Sequence, residues 1–248
     1  MPRIYKKPPV IEAVCEFRFE GSQPWDWTIP GLIYDRIKSE FPKKRQQNVL
    51  EVAMQPGEGK IAQEVKAGVA KMQFLREDET ALVQVGPELL AVNQLRPYPS
   101  WPTFKALILT QLDVYRTVAK PKALKRVGLR YINRIDMPVP DFALEDYFRT
   151  LPNLPDTVPN VFASFMLRME VPYEDINGRL TFVFGTPPIK AEKPAFMLDL
   201  DMFALGEDAP SLDEVSKWIE AAHERVEKAF DGTFTDKTHK EVLEEVTK

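Results

Sequence analysis

LKRVGLRYINRID, residues 124–136, is the most regular strand pattern in the chain. Taken two residues at a time, Val127, Leu129, Tyr131, Ile135 and, one step beyond, Met137 fall on one side, while Arg126, Arg130, Arg134 and Asp136 fall on the other. Successive strand side chains face opposite ways with about 6.6 Å between every second residue, so the arginines stand about 13 Å apart. The pattern predicts a half-buried strand with one apolar and one cationic face. Asn133 alone interrupts the apolar side, and once buried it must find hydrogen-bond partners.

Working outward, Ile11, Ala13, Cys15, Phe17 and Phe19 alternate with Glu12, Val14, Glu16, Arg18 and Glu20, a second two-faced strand with carboxylates where the first has arginines. Placed side by side, Glu12 and Glu16 would pair with Arg130 and Arg134, each exposed cross-strand pair being worth about 0.2–1 kcal/mol. Between these strands the spacing predicts a helix over 29–41, antiparallel strands at Asn48–Met54, Gly68–Arg76 and Thr80–Val85, and Leu89–Leu95 extending the last strand past a break at Gly86-Pro87. A long apolar stripe from Trp101 to Val118, with Ser100 placed to cap it, predicts a helix that leads through the basic connector Lys120–Lys125 into the opening strand.

The second half reads as a short helix Asp141–Leu151, a proline-rich loop 152–159, strands Val161–Val171 and Arg179–Phe184 around the hairpin signal Asn177-Gly178, and a strand Ala195–Phe203. A capping box of Ser211 and Glu214 opens a helix running to Phe230, and a polar helix Asp236–Val246 closes the chain. Each half thus offers antiparallel strands and a long amphipathic helix. The expected fold class is α+β, with antiparallel-rich sheets covered on one face by long amphipathic helices and two related subdomains as an open alternative. The halves are 1–140 and 141–248, with the seam at Pro138–Pro155, packed either separately or as one unit.

At 248 residues, 44% hydrophobic and 28% charged, the chain is long enough and apolar enough to bury a sizeable core. The net charge of −4, with acids and bases interspersed, speaks against a general nucleic-acid binder; only Arg126, Arg130, Arg134 and the basic connector offer a local patch. No apolar run approaches membrane-spanning length and no signal peptide is read, so no membrane partner is expected. One cysteine, Cys15, rules out intramolecular disulfides and fits a cytoplasmic setting.

Three stretches, YKKPPVIEAVCEFRF at the N-terminus, the central RVGLRYINRID, and HERVEKAFDGTFTDKTHK near the C-terminus, resemble an uncharacterised, sporadically distributed family of bacterial proteins of about this length. The resemblance implies a cytoplasmic bacterial protein. Its patchy distribution implies genes that move horizontally, such as those of phage defence or toxin systems. It brings no catalytic residues.

The chemistry-bearing candidates are few. Glu12, Glu16, Arg126, Arg130, Asn133 and Arg134 are candidates for a groove that takes an anionic ligand, because arginine forks suit carboxylate and phosphate. The bland alternative is a solvated ladder of cross-strand ion pairs. Asp199 and Asp201, two apart on one strand, are a weaker candidate metal pair for a phosphoester-processing enzyme, and a pairing with neighbouring arginines competes with that role. His223 and His239 lack zinc-site spacing and are expected at the surface or its boundary, and Cys15 belongs to an apolar strand face. Trp25, Trp27 and Trp101 either form an aromatic contact surface or cap the core. Pro56-Gly57-Glu58-Gly59-Lys60 lacks the phosphate-loop pattern, and no cofactor is expected. The sequence reads as a non-catalytic binding protein for an unknown protein partner or an anionic small molecule, with self-association through sheet edges open to it.

Overall fold

A computed structural model of the protein describes residues 3–21, 24–47, 50–57, 60–67, 71–138, 141–159, 162–187 and 193–246; of 50–57 and 60–67 only the backbone course is described. In chain order the elements are β1 (Val10–Glu20), α1 (Thr28–Ile37), β2 (Lys43–Gln47), β3 (Leu50–Gly57), β4 (Lys60–Ala67), β5 (Lys71–Leu75), β6 (Ala81–Gly86), β7 (Leu89–Leu95), α2 (Trp101–Ala119), β8 (Ala123–Asp136), α3 (Leu144–Tyr147), β9 (Met166–Tyr173), β10 (Gly178–Gly185), β11 (Ala195–Leu205) and α4 (Val215–Thr233).

The two signature strands are neighbours at the centre of the molecule. β1 and β8 run antiparallel with Cys15 opposite Leu129 and Val14 opposite Arg130. This register places Ala13, Cys15, Phe17 and Phe19 beside Val127, Leu129 and Tyr131, all buried on one face. A slip by one residue would turn one strand's apolar set to the other face, so burial alone pins the pairing. From this pair the sheet grows both ways into nine antiparallel strands, ordered β2-β5-β6-β7-β1-β8-β11-β10-β9, while β3 and β4 form a separate hairpin.

The fold expected from the sequence needs correction here. Instead of sheets covered on one face by long amphipathic helices, one large sheet dominates, and only α2 and α4, each of 19 residues, are long. Nine strands span roughly 38 Å at about 4.8 Å per neighbour, whereas a helix is about 10 Å wide. The helices shield the middle of the sheet and leave β9 outside. Nor are there two separate subdomains, because β8 pairs with β1 on one side and β11 on the other. The succession strand, helix, meander, helix does occur on each side of the central pair, as β1, α1, β5–β7, α2 and as β8, α3, β9–β11, α4.

Local expectations fared according to whether tertiary bonding competed with them. α2 starts and ends close to expectation, with Ser100 Oγ accepting from the Thr103 backbone N–H at 3.4 Å. Leu89–Leu95 does not extend β6. The chain reverses at Pro87-Glu88, with Glu88 at φ 52°, and β7 returns between β6 and β1. Both strands are buried on both faces, so no alternation marks the reversal. The expected helices 141–151 and 236–246 shrink to α3 and a single π turn, Thr238–Val242. Phe148 bridges Phe234, Arg149 N–H bonds the Thr233 carbonyl at 2.8 Å, and Thr235 N–H bonds the Tyr147 carbonyl at 3.0 Å, so the two segments bond each other rather than themselves. β2 and β4 were not expected. Residues 48–49, 58–59, 68–70, 139–140 and 161, which belong to expected strands, a turn and the seam, lie outside the described residues.

Candidate functional site

Opposite the helices, β1, β8 and β11 bring five charged candidates together. Arg126 lies flat across the sheet, its Nη1 donating to Glu16 at 3.2 Å and its Nη2 to Asp201 at 3.0 Å. Gly128 makes this possible, since a Cβ there would sit 2.6 Å from Arg126 Nη1. Arg130 forks onto Asp199, with Nε at 2.7 Å and Nη2 at 2.5 Å from its two oxygens. That carboxylate holds the guanidinium still more firmly in its charged form. Asp201 is pushed the other way: burial raises its pKa, outweighing Arg126 and Arg130. The expected cross-strand partners of Glu12 and Glu16 are therefore not the ones adopted. The third neighbour, β11, supplies the counter-charges for Arg126 and Arg130, and a neutralised ladder presents no free cation to an anion.

Glu12 turns instead to β7 and terminates a row of amides that the sequence reading missed. Gln73 Nε2 donates to Gln47 at 3.0 Å and to Gln84 at 3.1 Å, Gln84 Nε2 to Asn93 at 2.9 Å, and Asn93 Nδ2 to Glu12 Oε1 at 2.7 Å. The row crosses β2, β5, β6, β7 and β1, and Gln84 and Asn93 are buried. Its sequence signal is a single amide on the same face of each of β5 (KMQFL), β6 (ALVQVG) and β7 (LLAVNQL), legible only once those strands are known to be adjacent. A buried network of this kind is stable only when every member is satisfied.

Arg134, the last strand arginine, stands apart from the ladder. It pairs with Asp136 at 2.8 Å and lines a hollow of about 520 Å³ at the end of the central strands. Four segments converge there: Lys7–Val10, Arg96–Tyr98 after β7, Arg134–Asp136 of β8, and Val242-Leu243 of the C-terminal turn. Backbone bonds from Lys7 to the Leu243 carbonyl (3.1 Å), Lys6 to Glu244 (3.0 Å) and Val246 to Ile4 (2.8 Å) strap the two ends of the chain together and close one wall. Lys7 is paired with Glu244 at 2.6 Å. Arg96 has no carboxylate partner among the described residues, only long contacts to the carbonyls of Val10 (3.4 Å) and Pro9 (3.5 Å). The rest of the lining is largely apolar, from Pro8, Pro9, Pro97, Tyr98, Ile135 and Leu243.

The other candidates take structural places. Asn133 is buried on the helix side and donates to the Leu198 carbonyl at 3.1 Å, away from any surface that a ligand reaches. Among the described residues no three His, Cys, Asp or Glu side chains cluster as metal ligands, and a cation at Asp199 and Asp201 would have to displace Arg130 and Arg126. Cys15 is a buried free thiol whose pKa burial pushes up. His239, expected near the surface, is 1% exposed, with Nδ1 2.8 Å from the Tyr5 hydroxyl. His223 stacks on Trp101 at 4.1 Å between ring centroids and meets the Tyr131 hydroxyl at 3.2 Å, which in turn meets Tyr98 at 2.9 Å. Burial lowers the His223 pKa to about 4, so it is neutral at pH 7. Trp101 thereby caps the core, whereas Trp27 is exposed beside Trp25. Among the described residues no helix is long and apolar enough to cross a membrane. No family model, no curated protein and no solved structure matches the chain.

Proposed function

We propose that the protein is a non-catalytic, cytoplasmic binding protein that takes a small anion with an apolar body in the hollow between Arg96, Arg134 and Lys7, in the phage-defence or toxin setting that the family resemblance implies. The observation that carries this reading is Arg96. Arg126 and Arg130 are neutralised by β11 and β1, while Arg96 lines the hollow and its guanidinium has, among the described residues, only the Val10 and Pro9 carbonyls at 3.4 and 3.5 Å as partners. An arginine fork suits a carboxylate, and the proline-rich wall suits an apolar remainder. A hollow of about 520 Å³ falls within the range that small-molecule sites occupy.

The test is calorimetric titration with benzoate and indole-3-acetate against their neutral amides. Carboxylates are expected to bind and amides not. Arg96→Gln should weaken binding by about tenfold or more, a charged hydrogen bond being worth about 1.5–3 kcal/mol, while Arg130→Gln leaves it unchanged. Equal binding by wild type and Arg96→Gln, or no preference for the acids, would overturn the assignment.

A further inference from the structure

The two edges of the sheet are built differently. The β2 edge reads Lys-Lys-Arg-Gln-Gln over 43–47 and is nearly all exposed, the charged kind of edge that resists pairing with another strand. The β9 edge reads Met-Leu-Arg-Met-Glu-Val-Pro-Tyr over 166–173, and its Met166, Met169 and Val171 are 73%, 44% and 40% exposed. Met169 and Val171 lie on the helix side of the sheet, opposite buried Phe182 and Leu180 but beyond the reach of the helices, while Met166 projects from the other face.

The backbone of this edge is also oriented for pairing. Thr186 N–H bonds the Phe165 carbonyl at 3.0 Å, so Phe165 and the odd-numbered residues after it turn their backbone groups toward β10. The even-numbered residues therefore point theirs outward. Pro172, which has no N–H to offer, sits at one of those outward positions, where no bond to β10 is forfeited.

We infer that β9 is the contact through which two copies of this chain pair, antiparallel, about a twofold axis at Met169. The charge pattern selects both the occupant and the register. With Met169 on the axis, Arg168 faces the partner's Glu170 and Glu170 faces the partner's Arg168, Leu167 meets the partner's Val171, and the two Met169 side chains meet each other. The outward N–H and C=O groups of residues 168 and 170 then bond reciprocally, and Met166 N–H reaches the carbonyl of the partner's Pro172. Centring the axis on Arg168 or on Glu170 would set like charges face to face, which costs stability. The exposed methionines and valine would be covered by the same contact that satisfies the edge.

The test is sedimentation equilibrium of the full chain, with circular dichroism to confirm folding. The wild type is expected to dimerise at about 100 μM or below. Arg168→Glu and Glu170→Arg, each alone, should weaken the dimer about tenfold by turning two attractive pairs into two repulsive ones, and the double exchange should restore it. Glu170 also lies 3.9 Å from Arg168 and 3.4 Å from Arg179 in its own chain, so Arg168→Pro is compared with Arg168→Gln: both lose the charge, only the proline also loses the outward donor, and Arg168→Pro should yield a folded monomer. A wild-type monomer, a double exchange no better than the singles, or a dimer indifferent to Arg168→Pro would overturn the inference.

Discussion

Asn93 shows how much one side chain can hold on this sheet. It accepts from Gln84 and donates to Glu12 while only 3% exposed. Truncation to alanine leaves a buried amide donor and a carboxylate without their partners, and an unsatisfied buried group costs about 1–3 kcal/mol, more when charged. Asn93→Ala is therefore expected to lower unfolding stability by about 2–3 kcal/mol in urea titrations; a loss under about 0.5 kcal/mol would mean that water replaces the amide at no cost. The arginines behave differently. Their polarity was legible from strand alternation alone, but which carboxylate each one meets was not, because Asp199 and Asp201 lie about 70 positions downstream and arrive only when β11 docks on β8. Arg96 carried even less signal. Its isolation is a property of the four segments around it, not of its neighbours in sequence.

At the scale of elements, β9 owes its place to β10. Gly185 lies opposite Met166, and a Cβ there would run into the Phe165 carbonyl and the Met166 Cα, both backbone atoms that cannot swing aside. Gly185→Ala should thus push the two strands apart at that end and cost about 1–3 kcal/mol, the usual price of overpacking, with the loss of protection in hydrogen exchange concentrated in β9. Unchanged stability and unchanged β9 protection would show that the edge gives way freely. Elements whose apolar period is long, α2 and α4 above all, were readable in the sequence because their driving pattern is local; α2 also keeps the expected Ser100 cap, whereas α4 starts at Val215 without a side-chain cap. α3 and the last turn were not, because segments 148–149 and 233–235 exchange backbone bonds that a local reading cannot see.

For the whole molecule, half-buried His223 and buried His239 make stability depend on pH. His223 is held to about 4 against an ordinary 6.5, first by burial and then by Lys105, with Glu220 opposing; His239 is also lowered, by burial and Arg3, against Asp231 and Glu245. A histidine whose folded pKa lies below its unfolded value binds its proton more readily in the unfolded chain. Its contribution is present above pH 6.5 and is lost as pH falls toward 4, by up to about 3 kcal/mol for His223. Urea unfolding at pH 7.5 and 4.5 should show this loss, and His223→Gln should reduce it. An equal pH dependence in the variant would place the acid lability elsewhere, in His239 or in carboxylates whose pKa their partners lower, such as Glu220 beside Lys105.

What the sequence determined by itself is whatever depends on period and punctuation: two amphipathic strands with opposite charge on their polar faces, two long helices, the Asn177-Gly178 reversal, and a mixed content of helix and strand. Only the tertiary structure decided that β1 and β8 are partners, that all nine strands belong to one sheet, that β11 neutralises the arginines, and that the two chain ends close a hollow around Arg96. The division has a physical cause. Hydrophobic period is set by residues a few positions apart, whereas strand order and ion pairing are chosen by which distant edges satisfy each other's backbone and charge, and that choice is made only when the chain closes on itself.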